Sequence, residues 1–236
     1  MEALIDAQRE LDARTDAFVK NQGWPVPLRI FGHRYSAIVS MADEPKRKVN
    51  AAMQATFRPG TQAHKATREV LMESPALESR RPLLKQALKA QRRGEWYLVI
   101  NALLPLVEGV LVDIAFADGL PDERVDPKKS VDELKGSNGE PVLTYSTAIE
   151  AIETMLWSAG AGVALFSQFE RKDYGVPGEP RALNRHAVLH GAARRYGSTH
   201  NALKLYLLLV MLAEYAVYYE AAKERTKQGS AKKQAS

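Results

Sequence analysis

Asn184-Arg185-His186-Ala187-Val188-Leu189-His190 places an arginine, two histidines and a flanking asparagine within seven residues, and Gly191 follows. Two imidazoles that titrate near neutrality, beside a permanently charged guanidinium, are the groups that acid–base chemistry on a phosphodiester requires. A neutral imidazole can take a proton from a ribose 2′-hydroxyl. A protonated one can return a proton to the leaving 5′-oxygen, and the planar arginine fork suits phosphate oxygens. This chemistry needs neither a metal nor a thiolate. On an ideal helix His186 and His190 share a face, while Arg185 and His190 lie about 140° apart around the axis. A long arginine and a distorted last turn can close that gap. The bland alternative is a capped, solvated helix end, where a charged histidine is favoured by the helix dipole.

Other groups bear on the same chemistry. A zinc site on His186 and His190 fails at Ala187, where the His-Glu-x-x-His pattern demands glutamate, and no further histidine lies close except His200. Glu108 sits inside an apolar stretch. It is either an acid that orients Arg185 or an imidazole, or a partly exposed residue at the edge of the stripe; if buried, it needs a cationic partner. Asp113 reads as solvated. Arg194 and Arg195 follow the motif directly and are either RNA phosphate contacts or a solvated loop. Tyr206, Tyr215, Tyr218 and Tyr219 read as core or dimer contacts, because aromatics at helical spacing usually pack. The runs Lys46-Arg47-Lys48, Arg92-Arg93 and Lys232-Lys233 read as wet surface.

The elements that must position these groups are helical. Residues 1–21 and 33–41 carry apolar residues at helical spacing, separated by Gly23-Trp24-Pro25-Val26-Pro27, which a helix cannot cross. The Trp-Pro-Val-Pro segment either pins the first helix against a bundle or forms a small docking site. Asp43–Lys48 is a charged stretch holding Pro45, and Arg58-Pro59-Gly60 is a turn. Residues 62–91 predict one or two helices broken near Ser74-Pro75. After Gly94 the spacing of Trp96, Val99, Ile100, Leu103, Leu104, Val107, Val110, Leu111 and Ile114 predicts a helix to about 118, which Pro105 should kink or force into a local adjustment. A polar loop over 118–141 with a short helix at 128–135, a long helix over 145–171, a short motif helix ending near Gly191, and a last helix over 199–225 complete the reading. The basic tail, 226–236, is expected to be disordered.

Composition sets bounds. The chain has 236 residues, 45% hydrophobic and 26% charged, enough for a real core. A formal charge of +5 permits an anionic partner without demanding one. The absence of cysteine excludes disulfides, thiolate nucleophiles and cysteine-ligated zinc, and suits a reducing cytoplasm. The N-terminus has no signal-peptide core. The two most apolar stretches, 98–116 and 203–219, carry charges that are costly in hydrocarbon, so both read as core helices with no membrane partner.

Arg185, His186 and His190 resemble the signature of HEPN domains, an arginine followed by a polar residue and, a few positions on, a histidine. The surroundings are similar too: Tyr196-Gly197-Ser198, Asn201-Ala202-Leu203-Lys204-Leu205, and Leu103-Leu104-Pro105-Leu106-Val107-Glu108-Gly109-Val110-Leu111 look like a bacterial and phage subgroup of that family. The resemblance covers about 94–225. It implies a helical bundle that forms a homodimer, with two motifs facing each other across a cleft. It also implies metal-independent RNA cleavage leaving a 2′,3′-cyclic phosphate, in toxin–antitoxin, antiviral defence or stress-response settings where an antitoxin or regulatory protein is a partner. Carried over, Arg185 binds or polarises the phosphate, His190 is the acid–base residue, and His186 and Asn184 assist. The tyrosine that follows the last histidine in adenylylated toxins is absent, because Gly191-Ala192 stand there.

The sequence therefore predicts an all-α chain with three parts. Residues 1–93 form a helical accessory region, 94–225 a HEPN-like antiparallel bundle, and 226–236 the tail. The function expected is that of a cytoplasmic, cofactor-free, homodimeric endoribonuclease. A non-catalytic helical module that binds RNA or a protein is the alternative.

Overall fold

The computed structural model describes residues 2–27, 33–117, 188 and 195–234. Every regular element among them is helical, and none is a strand. The expected elements at 128–135 and 145–171 lie outside the described residues. In chain order the helices are α1 (Glu2–Gln22), α2 (His33–Val39), α3 (Lys46–Thr56), α4 (Gln62–Glu73), α5 (Arg81–Arg93), α6 (Trp96–Ala117) and α7 (Thr199–Gln234), with a single 3₁₀ turn at Pro75–Leu77.

Local chemistry sets most of the boundaries. Gly23 ends α1 at φ 64°, a conformation that costs a glycine little. Thr61 caps α4 by accepting a hydrogen bond from the His64 amide at 3.2 Å. Ser74-Pro75 breaks the chain between α4 and α5, as the spacing predicts. Gly94 closes α5 at φ 71°, with its amide and that of Glu95 donating to the carbonyls of Gln91 and Ala90. Helix α3 is the element that the sequence reading left out. Pro45 precedes it with φ −55°, a value compatible with helix entry, and Val49 and Met53, four apart, bury one face while Lys46-Arg47-Lys48 stay in water. Helix α6 runs through Pro105; the carbonyl of Asn101 loses its helical donor there, and both residues are exposed to water. Helix α7 is longer than expected and continues past Arg225 to Gln234.

Packing centres on α6 and α7. Helix α6 buries Val99, Ile100, Leu103, Leu104, Leu106, Val107, Val110 and Leu111. It lies against α5 on one side and α7 on the other, and α7 also meets α4, the 3₁₀ turn and α3. Each such leucine or isoleucine contributes roughly 1.5–3 kcal/mol by leaving water. The Gly94 boundary therefore separates two helices that pack on each other, and one hydrophobic core runs from Phe18 to Ala213. Thr199–Val217 is long and apolar enough to cross a membrane by length and composition, and 67% of it is buried inside the protein.

The rim of this core carries a clamp. Arg80 forms a bidentate ion pair with Asp113, Nη2 to Oδ1 at 3.2 Å, and Nη2 also donates to the Gly109 carbonyl at 3.3 Å. Asp113, read as merely solvated, is thus an anchor between α6 and the chain just before α5. Gly109 makes the approach possible, since a Cβ there would lie 2.5 Å from Arg80 Nε. Gly109→Ala should displace the guanidinium and lower stability by less than about 1 kcal/mol, because the better helix propensity of alanine offsets most of the loss of a partly exposed ion pair and its hydrogen bond to Gly109. In an Arg80→Ala background the same change should become neutral or stabilising. Denaturant unfolding of the four proteins reads the sign reversal, and an equal loss in both backgrounds refutes the clamp.

Candidate functional site

Of the residues expected to do chemistry, Asn184, Arg185, His186, His190 and Arg194 lie outside the described residues. Val188, in the middle of the motif, is described; it is helical, 7% exposed and part of the common core. Arg195 is exposed at a bend before α7. Glu108 is half-buried on α6 and is engaged by an interaction partner, so it is not an idle surface charge.

The chain leaving the motif is held against α6 by a compact set of contacts. The Tyr196 hydroxyl donates to Asn101 Oδ1 at 3.0 Å, and its ring meets Tyr97 edge to face at 4.9 Å. Gly197 follows, and any side chain there would overlap the Tyr97 ring. Ser198 Oγ then accepts from the Asn201 amide at 3.1 Å and caps α7, while Asn201 Nδ2 returns to the Tyr196 carbonyl at 3.0 Å. Each residue of Tyr196-Gly197-Ser198 and Asn201 has a defined physical task in this strap.

Two polar clusters that the sequence reading did not single out are buried beside it. Trp24 is fully buried, donates from Nε1 to Asn50 Oδ1 at 2.9 Å, and meets His200 edge to face at 4.8 Å. Lys204 Nζ stands 5.3 Å over the same indole, a cation–π arrangement. The Trp-Pro-Val-Pro segment therefore pins α1 to α3 and α7 and forms no exposed docking site at its tryptophan. Burial, reinforced by Lys204, lowers the pKa of His200 to about 4, and burial with nearby Lys46 lowers that of Lys204 to about 8. In the second cluster His64 Nε2 meets Gln91 Oε1 at 3.1 Å and its ring stacks on Tyr206 at 5.6 Å, while the Tyr206 hydroxyl bonds Thr67 at 3.0 Å. Burial lowers the pKa of His64 and raises that of Tyr206. Tyr206 is core, as expected, and Tyr215 is half-buried; the side chains of Tyr218 and Tyr219 lie outside the described residues. The helical spacing of aromatics on α7 was the available signal for the second cluster. The partners from α4 and α5 carried no such mark.

Burial disfavours the charged form of both histidines, and both are engaged in packing contacts. Among the described residues no three histidines or carboxylates converge in a way that would hold a metal ion.

Neutral burial has a consequence for stability against pH. The folded pKa of His200, about 4, lies below its ordinary value of 6.5, so between those values the unfolded chain binds more protons. The associated stability is complete above pH 6.5 and is lost as pH falls toward 4. His64 acts with the same sign, from the same main cause. The melting temperature of the unmodified protein should therefore fall more steeply from pH 6.5 to 4 than that of His200→Gln; parallel curves would refute the assignment. No protein family, curated protein or solved structure matches the chain, so the reading of its function rests on these residues alone.

Proposed function

We propose that this chain is a metal-independent endoribonuclease, acting as a cytoplasmic homodimer of HEPN-like helical bundles in a defence, toxin–antitoxin or stress-response system. The observation that carries the reading is the Arg185-His186 pair followed by His190. Two features support it. Val188 is anchored in the core, which suits a motif built into the fold better than a solvated helix end. The strap from Tyr196 to Asn201 anchors the following chain to α6, and a reacting geometry needs rigid support of that kind.

In this reading the motifs of two protomers share one cleft. His190 takes the proton from the 2′-hydroxyl, whose oxygen attacks phosphorus. The P–O5′ bond breaks, a protonated histidine supplies the proton to the 5′-oxygen, and a 2′,3′-cyclic phosphate remains. Arg185 offsets the charge that builds on the phosphorane, while His186 and Asn184 position the groups. Glu108 supports the cleft, and Arg194 and Arg195 hold flanking phosphates. RNA is the substrate, and an antitoxin or regulatory protein would be the natural partner.

Purified protein should cleave a tRNA pool in EDTA and leave cyclic-phosphate ends, and His190→Ala should abolish cleavage with fold and dimer intact. The loss should be at least about 10²-fold if His190 transfers the proton. Full activity in His190→Ala would sink the assignment. RNA binding without turnover by the unmodified protein would replace it with a binding module.

A further inference from the structure

The basic pair Arg92-Arg93, which the sequence suggests is wet surface, is not isolated. Arg58 from the turn after α3, Arg92 and Arg93 from the end of α5, and Trp96 from the start of α6 line one open groove of about 590 Å³. That volume falls within the range of small-molecule sites, roughly 300–1,000 Å³. Among the described residues no aspartate or glutamate lines it. Arg93 has only a long contact with Glu95, 3.7 Å, and neither Arg58 nor Arg92 has a carboxylate within 4.0 Å among the described residues. Three like charges line this one groove, and an anion bound in it would offset their mutual repulsion.

The remaining lining argues for more than an anion. Trp96 is half-buried, lines the groove and sits beside Gly94, where a Cβ would be in ordinary contact with the indole at 3.9 Å. Gln91 is buried with its Oε1 engaged by His64 Nε2, so its free amide group is a donor. Thr199 brings the positive end of the long helix α7 to the same groove. Guanidinium forks, an aromatic ring and an amide donor together match a phosphate attached to a base-bearing sugar. An acidic peptide would leave the ring and the amide unused.

We propose that this groove binds a nucleoside phosphate, with Arg58 and Arg92 on the phosphate and Trp96 under the base. The same chemistry is offered by a free nucleotide and by one unit of single-stranded RNA. The residues come from outside the Asn184–His190 segment, so the inference stands apart from the ribonuclease reading.

The test is equilibrium binding to the full-length protein in EDTA, measured by titration calorimetry for every variant, with tryptophan emission as a second readout where Trp96 is kept. The probes are AMP, a 2′-O-methyl oligo(A) hexamer that lacks the attacking hydroxyl, and inorganic phosphate. AMP or the hexamer should bind and quench emission. Arg58→Ala/Arg92→Ala should weaken binding by about tenfold or more. Trp96→Phe should weaken it by about fivefold or more. Both variants are checked for helical content, and Arg58→Gln/Arg92→Gln replaces the alanine pair if that pair unfolds. Binding of the hexamer alone identifies the source as an RNA strand, and equal binding of AMP identifies it as a free nucleotide; either supports the site. The proposal is overturned by nucleotide binding that is unchanged in the arginine variants, by phosphate binding as tightly as AMP with Trp96→Phe silent, or by no binding of any probe. Because no cleavage is read, failure here and failure of the ribonuclease reading are separate results.

Discussion

The inner faces of α6 and α7 cannot meet water without a large loss of stability, and the described architecture follows from hiding them. From Ala202 to Ala213 nearly every α7 side chain is buried, including Leu205 through Val210 in unbroken succession. A helix that is apolar all round must be covered on all sides. Helix α6 supplies one cover, and α4, the 3₁₀ turn and α3 supply others. The N-terminal helices are therefore part of the same core, and removing them would expose the central helix rather than trim an appendage.

Several polar groups inside that core are paired. The indole N–H of Trp24 reaches Asn50, the Tyr206 hydroxyl reaches Thr67, and His64 reaches Gln91. A net hydrogen bond adds about 1 kcal/mol, whereas an unmade one in such a place costs about 1–3 kcal/mol. These bonds thus act more on which arrangement is allowed than on how stable it is. The same burial disfavours the charged form of His64 and His200, whose rings serve in packing. The motif histidines stand in contrast, since their proposed role requires an imidazole able to take both charge states.

The two regions with functional interest are supported in different ways. The chain after the motif is held by short-range devices, a tyrosine hydroxyl on Asn101, a glycine against Tyr97 and a serine cap, all within Tyr196–Asn201 and its neighbours on α6. The arginine groove is held by the ends of elements, where Gly60 at φ 96° turns the chain beside Arg58 and Gly94 at φ 71° turns it beside Arg92 and Arg93. Glycine adopts these left-handed turns at little cost, and charged side chains next to both turns line the same groove.

Helix-forming periodicity, the breaks at Gly23, Ser74-Pro75 and Gly94, and the all-α class were legible in the residues, because each depends on contacts a few positions apart. The chemistry proposed for Arg185, His186 and His190 rests on residue type and spacing, and these residues lie outside the described ones. Helix α3 escaped notice because its basic first turn resembles a surface loop until Val49 and Met53 find something to bury against. Asp113 read as solvated until Arg80, 33 positions away, reached it. The meeting of Trp24 with His200 and of Arg58 with Arg92 and Trp96 likewise pairs residues that no local rule connects. Local patterns in the sequence determined which segments are helices and where they stop. Only the tertiary structure decided which of their side chains meet, because those meetings are chosen by the packing of apolar faces.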